Sequence, residues 1–174
     1  LLATWLYPQS PWRTVGRPFL APFVMERFPL GTDTLGRNLA SGLVHGARVS
    51  LMIGVVSTLV ALLIGVPLGA VAGYAGGFVD DALMRFTEFF QTIPSFALAI
   101  VLVAILQPQL GSIVLAIGVV SWPPVARLVR GEVLSLRTRE YVQAAVTIGQ
   151  STPRIIFSQV LPNTLAPIIV MGSL

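Results

Sequence analysis

The sequence predicts an all-α fold, a polytopic bundle of membrane-crossing helices, and three observations carry that reading. Of the 174 residues, 55% are hydrophobic and only 10% are charged, against about 25% charged in a soluble domain. Mean hydropathy is +0.84. Three stretches carry no charge: the 31 residues Val49–Val79, the 38 between Glu88 and Arg127, and the 20 from Ile155 to Leu174. One bilayer crossing takes about 20 apolar helical residues, so each stretch is long enough to cross. This composition excludes disordered, collagen-like and disulfide-rich classes. The absence of cysteine removes disulfides, thiolate metal sites and cysteine nucleophiles.

Taken in order, Leu1–Tyr7 reads as the last turns of an earlier span, with Trp5, Tyr7 and Trp12 at headgroup depth, where amphipathic rings are favoured. Residues 8–48 form a polar segment outside the hydrocarbon, punctuated by Pro8, Pro11, Pro18, Pro22 and Pro29. Within it Thr32, Asp33 and Thr34 are N-cap candidates for a short surface helix running towards Arg48. Span A lies at about 49–74. The 38 uncharged residues that follow Glu88 would reach about 57 Å as one helix, too far for one crossing. They must fold back, and Gln107-Pro108-Gln109-Leu110-Gly111 is the evident turn. That gives span B at about 88–106 and span C at about 111–128. Trp122-Pro123-Pro124 should kink or end span C. A polar loop occupies about 129–162, and a span D, cut short, begins near Asn163 and covers 163–174. The chain is expected to be a piece of a longer protein at both ends.

Three crossings place 75–87 and 127–162 on one face, and 8–48 with the 107–111 turn on the other. Near the span ends the first face carries Arg85, Arg127, Arg130, Arg137, Arg139 and Arg154, the second Arg37 and Arg48. Arginine marks the cytoplasmic side, so the 129–162 loop is assigned to the cytoplasm. The net charge of +4 comes from arginine alone, and no basic run forms a nucleic-acid stripe. Membrane lipid is the expected environment, and no nucleic acid is expected as a partner.

Little in the sequence points to chemistry of its own. His45 has no carboxylate or second histidine at ligand spacing and reads as a surface or interfacial residue. Asp80 and Asp81 are adjacent, about 100° apart on a helix, and read as the end of a cytoplasmic loop. Glu88 reads as interfacial. Spans A to C have no charge at mid-depth, which counts against a proton-driven path. No G-x-x-x-x-G-K-[ST] loop is present, so ATP is not held that way. No catalytic, cofactor or metal residue is expected, and the chain is not read as an enzyme.

Gly65, Gly69, Gly73 and Gly77 recur every four residues along span A. On a helix they form one ridge, and glycine lets another backbone come close, so the ridge is read as a helix-packing surface.

The loop holds the most informative stretch, Glu140 to Arg154. Tyr141, Ala144, Ala145 and Ile148 fall on one helical face at i, i+3, i+4 and i+7. Gly149 is a helix stop able to take positive φ. Thr152 can cap a second helix with Pro153 at its first position. A short helix with a small-residue face suits docking in a groove on another protein, or lying along lipid.

These residues also carry a resemblance. Ala144-Ala145, three residues, Gly149, and then Leu161-Pro162 resembles the EAA loop of bacterial ABC-importer permeases. That pattern runs Glu-Ala-Ala, three residues, Gly, nine residues, Ile, one residue, Leu-Pro. Gln143 stands in place of the Glu and Gln159 in place of the Ile, and Glu140, about one turn before Gln143, offers a carboxylate nearby. Pro29-Leu30-Gly31-Thr32-Asp33-Thr34-Leu35-Gly36-Arg37 and Gly46-Ala47-Arg48-Val49-Ser50-Leu51 are similar to the dipeptide/oligopeptide/nickel permeases, most of all to their C-type subunit. Gly73-Tyr74, Trp122-Pro123 and Ala126-Arg127-Leu128-Val129-Arg130-Gly131 are similar too.

The resemblance implies a type I ABC-importer permease bundle, with spans A, B and C as the second, third and fourth of six. Residues 1–48 would then be the end of a first span plus an extracytoplasmic segment, and 49–174 the permease transmembrane domain. It further implies a bacterial or archaeal plasma membrane and transport of peptides or nickel. The implied partners are a homologous permease subunit, two cytoplasmic ATPase subunits and an extracytoplasmic solute-binding protein. Glu140, Tyr141, Gln143, Ala144, Ala145, Ile148, Gly149, Thr152 and Pro153 would form the ATPase-coupling loop. The alternative is a piece of a secondary transporter or channel that needs no ATPase.

Overall fold

Eight α-helices and one π-helical turn order the described residues, 2–173, of the computed structural model, and no strand appears among them. The all-α membrane bundle expected from composition is therefore what forms. Among the described residues three helical segments are long and apolar enough to cross a membrane, Leu39–Ala75, Leu110–Leu136 and Thr152–Gly172, and a bent helix pair makes a fourth if its two helices count as one span. The chain is a multi-pass membrane protein. Its contacts divide it into a unit ending at Gly54 and a unit beginning at Val55.

In the first unit, α1 (Leu2–Leu6) precedes an irregular segment, and α2 (Leu39–Ala75) begins in this unit. The surface helix expected to start at Thr32–Thr34 does not form there. Asp33 Oδ1 instead accepts from the backbone N–H groups of Leu35 and Arg37, each at 2.8 Å. A side chain that satisfies nearby amides this way makes a turn. The Arg37 amide is the main reason that the Asp33 carboxyl sits below the ordinary aspartate range. Asn38 caps the helix instead, its Oδ1 accepting from Ala40 N at 3.0 Å and Ser41 N at 3.4 Å. The helix then runs on through residue 49 without a break. Gly31, at φ 76°, lies where a side chain would strike the Leu20 carbonyl, so only glycine closes this loop. His45 Nε2 lies 3.0 Å from the Tyr7 carbonyl, and Arg48 donates to Thr4 Oγ1 at 3.1 Å.

In the second unit, Gly76 and Gly77 both take positive φ and separate α2 from α3 (Gly77–Thr92). Span B is not one straight helix over 88–106. Helix α3 ends at Thr92, and α4 (Ser95–Leu106) leaves it at 81°. The cause is local: Ile93 precedes Pro94 and is extended (φ −88°, ψ 128°), the conformation that a following proline imposes. Alone, the 12 residues of α4 would reach about 18 Å, short of a bilayer core of about 30 Å. After the turn at 107–109, α5 (Leu110–Leu136) carries Pro123 and Pro124 inside it and does not end there. It continues eight residues past the expected limit, into the polar stretch.

The core of this unit lies where α2, α5 and the later helices meet. Ala61, Ala70, Val125, Val129, Val133, Val142, Ala145, Ile155, Val160 and Ile168 form one buried cluster. Helix α6 (Glu140–Thr147), α7 (Thr152–Ile155), the π-helical turn Ile156–Val160 and α8 (Leu161–Ser173) close it. Leu1 and Leu174, at the ends of the first and last expected spans, lie outside the described residues.

Candidate functional site

The expected coupling loop folds as helix, glycine turn, helix. Helix α6 begins three residues after α5 ends and stops at a Schellman turn. Gly149 N–H donates to the Val146 carbonyl at 2.9 Å and Gln150 N–H to the Ala145 carbonyl at 3.1 Å. That motif needs a left-handed residue at the position after the cap, and Gly149 supplies it at φ 78°. The capping residue before α7 is Ser151 rather than Thr152, and no side-chain cap bond forms there. Thr152 and Pro153 open the first turn instead, where the missing N–H of proline leaves no helical bond unmade.

Helix α6 divides its four expected face residues. Ala145 is 4% exposed and Val142 1%, both inside the core cluster. Tyr141 (40% exposed) and Ile148 (75%) face outward, and Ala144 with them. The helix is thus held from behind by Val142 and Ala145, and its outer face, Tyr141–Ala144–Ile148, is left uncovered. Val142 was not among the expected residues. The i, i+3 pair that it makes with Ala145 was legible, but the neighbouring pattern through Tyr141 is longer and hid it. Gln143 donates from Nε2 to the Arg137 carbonyl at 2.8 Å, fastening α6 to the end of α5. An ionised glutamate has no proton to give and could not make that bond. Glu140, Gln143, Gly149, Thr152 and Pro153 are exposed as well, Thr152 and Pro153 beside Val66, Pro67 and Tyr74 of α2.

The glycine ridge has a partner. A Cβ on Gly65 would lie 2.8 Å from the Trp122 carbonyl oxygen, and one on Gly73 2.7 Å from that of Arg130. A Cβ on Gly69 would overlap the Ala126 carbonyl. Ser57 Oγ donates to the Val114 carbonyl at 3.1 Å, a separation of 57 positions, and the three glycines keep that same offset. A constant offset means that α2 and α5 run parallel, which requires the chain to return between them through α3 and α4. Gly118 answers from the α5 side, where a Cβ would strike Val60. Gly77 is not part of this ridge. It lies beyond the helix break, with φ 52° and open space around its Cβ position.

Three of the arginines counted near the span ends have specific partners. Arg130 makes two hydrogen bonds to Asp80, Nε to Oδ1 at 2.5 Å and Nη2 to Oδ2 at 2.6 Å. Asp80 is 7% exposed and is therefore not a solvated loop end; it sits in the first turn of α3, where a carboxylate is favoured. Arg137 donates to the Gly73 carbonyl at 3.1 Å and to that of Tyr74 at 3.3 Å, satisfying the open end of α2. Arg127 approaches Glu88 at 3.9 Å. Sequence spacing gave no sign of these pairings, because the partners lie 39 to 64 residues apart. Among the described residues, no group of three or more His, Asp or Glu is placed to hold a metal ion.

Residues 65–172 match the family model described as binding-protein-dependent transport system inner membrane component. The chain belongs to this family. Its members among curated proteins include the dipeptide transport system permease protein DppC of Bacillus subtilis, 41% identical over 90% of this chain and 53% of that protein. The di/tripeptide transport system permease protein DppC of Pseudomonas aeruginosa is 42% identical over 100% of this chain and 59% of its own length. The glutathione transport system permease protein GsiD of Pectobacterium atrosepticum is 38% identical over 83% of this chain and 48% of its own length. The chain thus spans about half the length of the curated relatives it matches. The C-type permease resemblance read from the EAA-like spacing and the Gly-Thr-Asp segment agrees with these relatives.

Proposed function

We propose that the chain serves as a permease subunit, or as about half of one, in an ATP-driven importer of small peptides in a bacterial or archaeal plasma membrane. The observation that carries this reading is the outward face of α6. Tyr141, Ala144 and Ile148 stand uncovered on a helix that is itself anchored to the core by Val142 and Ala145. An anchored helix that leaves Tyr141, Ala144 and Ile148 open fits a groove on another protein, and the ABC-importer resemblance points to the ATPase motor as that protein. In this reading two cytoplasmic ATPase subunits grip α6 and its counterpart on a homologous permease subunit. An extracytoplasmic binding protein delivers the solute. Hydrolysis belongs to the ATPases, and the chain itself is not an enzyme. Motion of α6 passes to α5 through the Gln143–Arg137 bond and to α2 through the glycine seam. Peptide is preferred to nickel because the relatives bear peptide and glutathione names.

The test uses the full-length permease assembled with its partner subunits. Ala144→Trp fills the outer face without touching the core, and it should abolish ATPase association and peptide-stimulated hydrolysis together. If both survive, α6 is not the coupling helix.

A further inference from the structure

A charged cleft of about 450 Å3 lies between α3 and α5, lined by Asp81, Met84, Arg85, Glu88, Arg127 and Arg130. Asp81, Arg85 and Glu88 fall at i, i+4 and i+7, one stripe of α3, and Arg127 with Arg130 at i, i+3 on α5. These charges lie at the ends of α3 and α5 that the arginine count assigns to the cytoplasm, where water reaches them.

The charges differ in how far they are spent. Arg130 is committed to Asp80 by two short hydrogen bonds. Arg127 and Glu88 are 49% and 62% exposed and stand 3.9 Å apart, a loose pair of the kind worth about 0–1 kcal/mol. Asp81 and Arg85 are exposed. The cleft thus offers two carboxylates and two guanidinium groups, with little holding Glu88 and Arg127 to each other. A lone anion would meet Asp81 and Glu88, and a lone cation Arg85 and Arg127. A molecule carrying both an ammonium and a carboxylate satisfies both sets.

We propose that this cleft is a transit site for the charged termini of a free peptide. The carboxylates of Asp81 and Glu88 take the N-terminal ammonium, and the guanidinium groups of Arg85 and Arg127 take the C-terminal carboxylate. This deepens the importer reading and rests on it. Arginine matches a carboxylate with two parallel bonds, and exposure keeps the site weak, as passage requires. Phe86 and Phe90 of α3 also meet Trp122 of α5, with ring centroids 5.8 Å and 5.4 Å apart, and join the same two helices.

The experiment uses the full-length permease assembled with its partner subunits in phosphatidylcholine discs, with the binding protein omitted. Saturation-transfer NMR reads contact with alanyl-alanine. Free alanyl-alanine should give a signal, and N-acetyl-alanyl-alanine amide, which lacks both charges, should not. Glu88→Gln and Asp81→Asn should each weaken the free-peptide signal roughly tenfold, the loss of one charged hydrogen bond. Equal signals from free and blocked peptide, or full signal in both variants, overturn the proposal. Phosphatidylethanolamine also carries a primary ammonium beside an anionic group. If adding it to the discs abolishes the peptide signal, the cleft is a lipid site and the proposal falls. If alanyl-alanine binds as described but the complete system takes up no peptide, the importer reading falls and the site stands. If uptake is normal and no signal appears, the site falls and the importer reading stands.

Discussion

Helices α2 and α3 both lie against α5, one held by shape and the other by charge. Along α2 the contact is backbone on backbone. Gly65, Gly69 and Gly73 face the Trp122, Ala126 and Arg130 carbonyls at one fixed offset, with Val125, Val129 and Val133 filling in between. Along α3 the contact is the Asp80–Arg130 pair and a cluster of aromatic rings. The α4 segment that follows has no buried residue at all, although it is the most apolar helix in the chain. Apolarity alone therefore does not bury a membrane helix: α4 lies along α5 yet keeps every side chain partly open, which lipid accepts as readily as a protein core does. The missing Cβ decides the α2 seam, and a pair of opposite charges decides the attachment of α3.

The largest expected effect comes from breaking the seam. Gly69→Leu drives a side chain into the Ala126 carbonyl, and neither helix can retreat without opening the neighbouring glycine contacts. Overpacking typically costs 1–3 kcal/mol, and here about the upper end or beyond. Thermal unfolding of the full-length protein in detergent should show a large drop, or no monodisperse protein. A change of volume on α4, Ile100→Ala at a residue 53% exposed, should cost about 0.5 kcal/mol or less. If Gly69→Leu is as mild as Ile100→Ala, the contrast between seam and surface is wrong.

Next comes the charged attachment. Asp80→Asn keeps the size of the side chain and removes the charge opposite Arg130. Breaking a fully buried pair costs about 3–5 kcal/mol, but the Arg130 side chain is 34% exposed and water can reach it. About 1–2 kcal/mol is expected, again by thermal unfolding. The reversed pair Asp80→Arg with Arg130→Asp should recover only part of this, because an arginine in the first turn of α3 opposes the helix dipole. Full recovery would mean that the dipole contributes nothing there.

Sequence reasoning reached these two contacts unequally, and the reason is physical. The seam was visible because glycine at every fourth position has one geometric consequence on a helix, and only Gly77, past the break, was misplaced by it. The ion pair was hidden, because an aspartate beside a second aspartate after a glycine pair looks like a loop end until the fold brings Arg130 to it. The α3–α4 bend was within reach: Ile93-Pro94 states it locally, but the run of uncharged residues around it outweighed one proline. The fold of the 140–154 loop was readable to the residue at Gly149, whose turn is set by neighbours, and less so at Tyr141, Ala144 and Ile148. Which side of α6 faces the core depends on Ile155 and Val160, and those belong to later helices.

An effect of similar size but local reach extends the shape-held class to α6. Gly149→Val forces a β-branched residue to φ 78°, at about 1–2 kcal/mol. That cost falls on the turn alone, since nothing lies within 4 Å of the Cβ position. Hydrogen exchange should rise in 145–152 and stay unchanged along α2 and α5. A rise spread over the whole unit would show that the turn helps to hold the seam.

The smallest effect belongs to the charge-held class and lies in the first unit. The carboxylate of Asp33 accepts from the Leu35 and Arg37 amides, so its folded pKa is depressed below an unfolded value of about 3.9. A depressed carboxyl contributes to the turn above the unfolded value, and the contribution disappears as pH falls through the folded value. Hydrogen exchange of residues 31–38, corrected for intrinsic rates, should therefore rise in acid, below about pH 4, and stay flat from there to neutrality. Asp33→Asn tests the cause, because the amide oxygen still accepts both bonds but has no proton to gain. The variant should keep the turn at neutral pH and lose its acid response. If wild type and variant respond to acid alike, the turn is held as the α2 seam is, by the left-handed glycines Gly31 and Gly36, and charge plays no part in it.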